Sequence, residues 1–116
     1  MWTISKTFTF SASHQLNDLP KDHPCSRLHG HNYEITVILK SETLTDEGFV
    51  QDYRDLKPIQ EWIGNRLDHQ HLNTIFTQPS VEVMTKTLFD IWKKQFPLLI
   101  AIEMSETMKT RCRYEP

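Results

Sequence analysis

His31-Asn32-Tyr33-Glu34-Ile35-Thr36-Val37-Ile38-Leu39-Lys40 is the stretch on which the fold turns. Successive side chains of a strand point to opposite faces, so Tyr33, Ile35, Val37 and Leu39 share one face. The run is rich in aromatic and β-branched residues, which suit a pleated, half-buried surface. Upstream, residues 2–10 (Trp-Thr-Ile-Ser-Lys-Thr-Phe-Thr-Phe) alternate in the same way and read as a second strand. Between the two, residues 15–27 hold Asn17, Asp18, Pro20 and Pro24 and read as a loop. The two strands are expected to pair like a hairpin. Downstream, Thr43 to Gly48 is a polar turn, and Phe49-Val50 a short strand or its end. Leu56, Ile59, Ile63 and Leu67 then recur near the helical period, with Asp55 as expected N-cap and Pro58 in the first turn. A second helix is expected from Val81 to Gln95, capped by Ser80 with Glu82 in its first turn. Its apolar stripe is Val81, Met84, Leu88, Ile91 and Trp92, and Pro97 ends it. Residues 98–106 and 110–115 read as a final pair of strands around Thr107-Met108-Lys109. Strands at both ends with two helices between them imply an α+β fold, an antiparallel sheet covered by helices on one face.

The chain has 116 residues, which points to one domain spanning 1–116. Six Phe, three Trp and three Tyr supply a core, which argues against disorder. A formal net charge of −2, with no block of Lys and Arg, argues against a nucleic-acid surface. No apolar run approaches the roughly 20 residues of a membrane span. Met1-Trp2-Thr3-Ile4-Ser5-Lys6 lacks the basic-then-apolar layout of a signal peptide. Two cysteines make no disulfide framework, so a reduced, cytoplasmic location is expected, with Cys25 a free thiol.

His29 and His31 stand two apart at the mouth of a strand, a spacing that turns both imidazoles to one face. His14 ends the first strand run, and a hairpin-like pairing of 2–10 with 31–40 would bring it alongside. Three imidazole nitrogens can hold a zinc ion and leave a coordination position open, as a catalytic zinc requires. By ligand type alone copper or nickel would also serve. Gly30, between the two, removes a side chain expected to crowd them. Cys25, four residues before His29, could be a ligand, a base or an inert neighbour. His23 falls in the polar loop. Asp68-His69-Gln70-His71 offers a second His-x-His pair, but it follows a helix and need not be extended.

Asp68 beside His69 could fix its tautomer and raise its basicity. Adjacent side chains rarely hydrogen-bond well, so the pair alone is weak evidence. Glu103 and Glu106 differ by three on the expected penultimate strand and therefore face opposite ways. An inward carboxylate asks for a partner, and the N–H edge of a pterin or guanine would satisfy it in bidentate fashion.

Taken together, Phe10-Ser11-Ala12-Ser13-His14, Cys25-x-x-x-His29-Gly30-His31-Asn32-Tyr33, Gly48-Phe49-Val50-x-Asp52-Tyr53, Leu67-Asp68-His69-x-x-Leu72-Asn73, Pro79-Ser80-x-Glu82 and Glu106-Thr107 fall in the order of one family. The chain resembles the 6-pyruvoyltetrahydropterin synthase / 6-carboxytetrahydropterin synthase (QueD) family along essentially its whole length. The resemblance implies zinc held by His14, His29 and His31. It implies Cys25 as the catalytic thiol that accepts a proton, and Asp68 with His69 as the pair completing the relay. Glu106, with Thr107, would anchor the pterin. Three residues between the cysteine and His29-Gly30-His31 resemble the bacterial queuosine-pathway branch, whereas the animal biopterin enzyme has a longer gap there. A folate-linked branch has glutamate for the cysteine, which this chain keeps. Ser80 departs from the family's usual threonine but preserves the hydroxyl.

The fold implied is a T-fold, whose four-stranded sheets join between subunits into a barrel. Family members are typically homohexamers, two stacked trimers with active sites between subunits. The implied reaction is zinc-dependent carbon–carbon cleavage of 7,8-dihydroneopterin triphosphate to 6-carboxy-5,6,7,8-tetrahydropterin, acetaldehyde and triphosphate. The sister reaction, which makes 6-pyruvoyltetrahydropterin, uses the same residues. A non-catalytic zinc-binding module would instead close the metal site with a fourth ligand. Lys21 and Arg27 are the candidates for meeting the triphosphate, unless a neighbouring subunit supplies that charge.

Overall fold

A computed structural model describes residues 1–116. Four strands form one antiparallel sheet in chain order: β1 (Trp2–His14), β2 (His29–Ser41), β3 (Leu99–Ser105) and β4 (Cys112–Tyr114). Two helices, α1 (Lys57–Arg66) and α2 (Val81–Lys93), lie between β2 and β3 in sequence. This is the expected α+β arrangement. β1 and β2 are longer than expected at their facing ends, reaching His14 and starting at His29. Pairing carries them there: the register runs without a break from Trp2 opposite Ser41 to His14 opposite His29.

The register sorts side chains by face. Phe8, Phe10, Ala12 and His14 on β1 turn the same way as Tyr33, Ile35, Val37 and Leu39 on β2, and all are buried. Phe10 and Tyr33, directly opposite, stack with ring centroids 4.9 Å apart. The other face carries short polar residues, among them Thr7 and Thr36, whose hydroxyls meet at 2.8 Å. Both helices cover the apolar face. Ile59 and Ile63 of α1, and Met84, Leu88, Phe89 and Trp92 of α2, join the strand residues in one core. The Trp92 Nε1 is buried without a hydrogen-bond partner, and its ring meets Trp62 edge to face at 5.8 Å.

Caps explain where the helices begin. Ser80 caps α2, its Oγ accepting the Val83 N–H at 3.2 Å. α2 ends at Lys93, and the Lys93 ammonium donates to the carbonyl of Leu99 at 2.8 Å. Asp55 does not cap α1. Asp52 takes that role one turn earlier, accepting the Arg54 N–H at 2.9 Å and starting a 3-10 turn (Tyr53–Leu56) that leads into the helix. Phe49-Val50 forms no strand. The chain there turns through Gly48, whose φ of 89° places it in the left-handed region. No helix is long and apolar enough to cross a membrane.

Candidate metal centre and active site

The metal end of the hairpin is built by register. His14 pairs with His29, and Ala12, a small residue, pairs with His31, leaving room above β1 for the imidazoles. One nitrogen from each of His14, His29 and His31 lies within 4.8 Å of the others. His14 is buried; the other two are half-buried. Gly30 works differently from expectation. It points to the opposite face of the sheet, where an added Cβ would sit 3.2 Å from the Ala12 carbonyl oxygen. It relieves crowding between strands, not between histidines.

Tautomers follow from the partners. His14 Nδ1 lies 2.8 Å from the Pro79 carbonyl oxygen and His29 Nδ1 lies 2.6 Å from the Arg27 carbonyl oxygen. A carbonyl can only accept, so both Nδ1 atoms carry the proton. In the neutral rings both Nε2 atoms then present lone pairs, and these two atoms stand 2.9 Å apart. Two lone pairs aimed at one point are unfavourable unless a cation lies between or beside them. His31 Nε2 is buried with no hydrogen-bond partner, its nearest carboxylate oxygen being Glu106 Oε2 at 3.5 Å. Burial holds the His31 pKa below the ordinary imidazole value. Glu106 works against that shift, and the His14 and His29 imidazoles reinforce it. A His31 imidazole favoured in its neutral form, its orphaned buried nitrogen, and the carbonyl-fixed tautomers of His14 and His29 are the donor set and outer support that a three-histidine metal site needs. Tyr33 Oη sits 3.2 Å from His14 Nδ1, and burial, with Glu106 nearby, raises its pKa and keeps the phenol protonated.

Glu106 lies just past β3 and faces the imidazoles. Two clefts share it. One, of about 340 Å³, lies against the start of α2 and includes Val81, Met104 and Cys112. The other, of about 560 Å³, includes His31, Thr107, Met108 and Arg111. Glu103 faces the polar side of the sheet, where Arg113 holds it at 2.8 Å and Arg111 at 3.5 Å. The two glutamates therefore diverge as the spacing implied.

Cys25 is a free, half-buried thiol in a 3-10 turn (Pro24–Ser26). It stands outside the histidine cluster. Its backbone ties the loop down: Leu16 N–H donates to the Cys25 carbonyl at 3.0 Å, and Cys25 N–H donates to His23 Nδ1 at 3.0 Å. His23 is thereby the cap of this turn. Lys21 and Arg27 lie in the same loop, exposed.

Asp68 and His69 do meet, contrary to the expectation for neighbours. His69 Nδ1 lies 3.1 Å from Asp68 Oδ2. His69 has φ 59°, an uncommon left-handed backbone conformation. The conformation is held from β1, since Ser11 N–H donates to Asp68 Oδ1 at 3.0 Å and His69 N–H donates to the Ser11 carbonyl at 2.6 Å. The Ser11 N–H bond, then His69, keep the Asp68 carboxyl below the usual range. His69 opens onto a cleft of about 640 Å³ on the polar face, with His71, Ser11 and Ser13. No hydrogen bond links this pair to Cys25. Asp68 and His69 are held at Ser11 and Cys25 at Leu16, so the relay pair and the thiol attach at different points of a single chain.

Sequence reasoning missed the orienting acceptors, the carbonyls of Pro79 and Arg27, because backbone groups carry no residue signature. It also missed the outer edge of β1 as the support of Asp68-His69.

Comparison with known proteins agrees with this geometry. The 6-carboxy-5,6,7,8-tetrahydropterin synthase of Synechocystis sp. is 33% identical over 98% of this chain and 93% of its own. That of Bacillus subtilis is 26% identical over 97% of this chain and 84% of its own. The structure of Caenorhabditis elegans 6-pyruvoyl tetrahydropterin synthase superposes with a TM-score of 0.86 at 25% identity, covering 99% of this chain and 95% of that one. The family model for 6-pyruvoyl tetrahydropterin synthase matches residues 3–116, so the chain, with its antiparallel sheet and His14-His29-His31 cluster, belongs to the 6-pyruvoyl tetrahydropterin synthase family.

Proposed function

We propose that this chain is a zinc-dependent carbon–carbon lyase that converts 7,8-dihydroneopterin triphosphate and one water to 6-carboxy-5,6,7,8-tetrahydropterin, acetaldehyde and triphosphate, in queuosine biosynthesis in the cytoplasm. The observation that carries this reading is the convergence of three imidazole nitrogens within 4.8 Å, with the Glu106 carboxylate 3.5 Å from one of them. A metal donor set and a ring-edge acceptor thus share one place.

His14, His29 and His31 would hold zinc, which supplies Lewis-acid polarisation of hydroxyls on the substrate side chain. Glu106, with Thr107 beside it, accepts hydrogen bonds from the N–H edge of the pterin and fixes the ring relative to the imidazoles. Cys25, as thiolate, takes a proton from a side-chain carbon. His69, oriented by Asp68, exchanges a proton with a side-chain hydroxyl. The relay pair and the thiol attach apart in one chain. The reading therefore places Asp68-His69 of one copy across an interface from Cys25 of another, within a homohexamer built as a dimer of trimers. Residues 1–116 act as a single catalytic domain. Lys21 and Arg27, exposed in the loop that carries Cys25, are the candidates to meet the triphosphate, unless a neighbouring subunit supplies that charge.

The test is incubation of the zinc-loaded protein with 7,8-dihydroneopterin triphosphate, with products identified by mass spectrometry. Acetaldehyde with 6-carboxytetrahydropterin supports the proposal. A 6-pyruvoyl product without acetaldehyde would assign the sister lyase instead. No turnover, with zinc bound, would leave a binding module.

A further inference from the structure

Three side chains bind the segment 68–73 to the outer edge of β1. Asp68 receives the Ser11 N–H, and His71 Nδ1 meets Ser13 Oγ at 3.0 Å. Asn73 accepts the Gln15 N–H at 2.8 Å and donates to the Gln15 carbonyl at 2.7 Å. Backbone bonds alternate with them: Ser13 N–H donates to the Gln70 carbonyl at 3.1 Å, and Ser13 bridges His71 in parallel. Together these contacts set the register of the segment along the strand. A slip of one repeat, two residues, would carry His69 about 6.6 Å from its place. His69 also holds a left-handed φ of 59°, which a residue with a Cβ keeps only when its surroundings over-determine it. Of the three pins, Asp68 is itself the partner of His69, and Asn73 lies four residues beyond it. The His71–Ser13 contact is the side-chain pin that follows His69 most closely. The proposed mechanism uses neither side chain.

We infer that His71 is a positioning residue for the reaction: through Ser13 it holds His69 in the left-handed conformation from which the proton is exchanged. The inference rests on the reading of Asp68-His69 as the proton relay. His71 acts through the β1 edge and not on the substrate. The His71 side chain bonds Ser13 and neither Glu106 nor the three clustered histidines, so the effect is expected to fall on turnover.

The zinc-loaded full chain provides the test. His71→Ala and Ser13→Ala are each expected to lower kcat about tenfold, with KM and zinc content near the parent's. His71→Asn, whose amide reaches the same hydroxyl, restores most of the rate. The double variant is no slower than either single one, because both remove one contact. Independently of turnover, hydrogen exchange at the His69 amide, read from peptides spanning residues 67–72, is faster in His71→Ala. Unchanged kcat with unchanged His69 exchange overturns the inference, as does a double variant whose losses add. If the parent chain fails to turn over 7,8-dihydroneopterin triphosphate, the lyase reading falls, and His69 exchange in His71→Ala alone decides the positioning role.

Discussion

His14 and His29 are each fixed by a carbonyl on one nitrogen so that the other is free, and that division of labour makes the metal assignment testable one atom at a time. His29→Ala is expected to lose bound zinc, as measured by plasma mass spectrometry; full occupancy in that variant would remove His29 from the ligand set. Cys25→Ala should keep zinc and pterin binding while kcat falls by about 10²- to 10⁴-fold, the usual contribution of a positioned acid or base. Near-parental turnover would refute the thiol's part. Asp68 gives a prediction in pH. Its folded pKa lies below the ordinary value because the native state offers the charged form a Ser11 N–H. The stability from that contact is therefore complete above the unfolded carboxyl's pKa, near 4, and is lost as pH falls through the lower folded value. The difference in unfolding free energy between the parent and Asp68→Asn should be constant at neutral pH and shrink below about pH 4; a difference independent of pH would contradict the contact. The histidine triad was legible in the sequence because a two-residue spacing has one meaning on a strand. The Asp68–His69 bond was not, because neighbours rarely bond well and the contacts that hold this pair come from Ser11, more than fifty residues away.

The helices and strands were legible where one residue type has one job. Ser80 before an apolar period marked the start of α2, and Tyr33-x-Ile35-x-Val37-x-Leu39 marked the buried face of β2. Asp52 and Asp55 are both reasonable caps in sequence, and only the 3-10 turn between them and α1 decides for Asp52. The far ends of β1 and β2 were hidden because His14 and His29 carry no strand preference; they extend by pairing with each other. Gly30 sits in this extension. Gly30→Ala would press a methyl to 3.2 Å from the Ala12 carbonyl and push the two strands apart beside His31. The expected result is a folded protein destabilised by about 1–3 kcal/mol with weakened zinc affinity, checked by thermal unfolding and zinc titration. Unaltered affinity would show that strand spacing at this level does not govern the site.

The molecule as a whole is long and thin, 56 × 25 × 25 Å. Its radius of gyration is 15.4 Å, against about 13 Å for a compact chain of this length. Its surface of 7310 Å² exceeds the roughly 6,600 Å² of a compact monomer of its mass. The excess comes from two 13-residue strands of about 43 Å beside a 13-residue helix of about 20 Å. Helices that short cannot cover the full length of the sheet, and the first part of the β1 edge lies open, which is the condition in which strands recruit further strands. Sedimentation or light scattering is expected to give a hexamer, and a monomer at micromolar concentration would refute the intersubunit site. Along the open edge of β1 the outward backbone groups of Thr3, Ser5, Thr7 and Thr9 make no hydrogen bonds, whereas those of Ser11, Ser13 and Gln15 are engaged by residues 68–73. An incoming strand therefore has a track with a buffer at its end. In the proposed hexamer a strand seated along the first part of β1 would halt before Ser11, and the halt would fix how far one copy slides past the next. In that assembly the loop that grips β1 would act as a ruler, measuring out from the imidazoles the height at which a neighbour's side chains arrive.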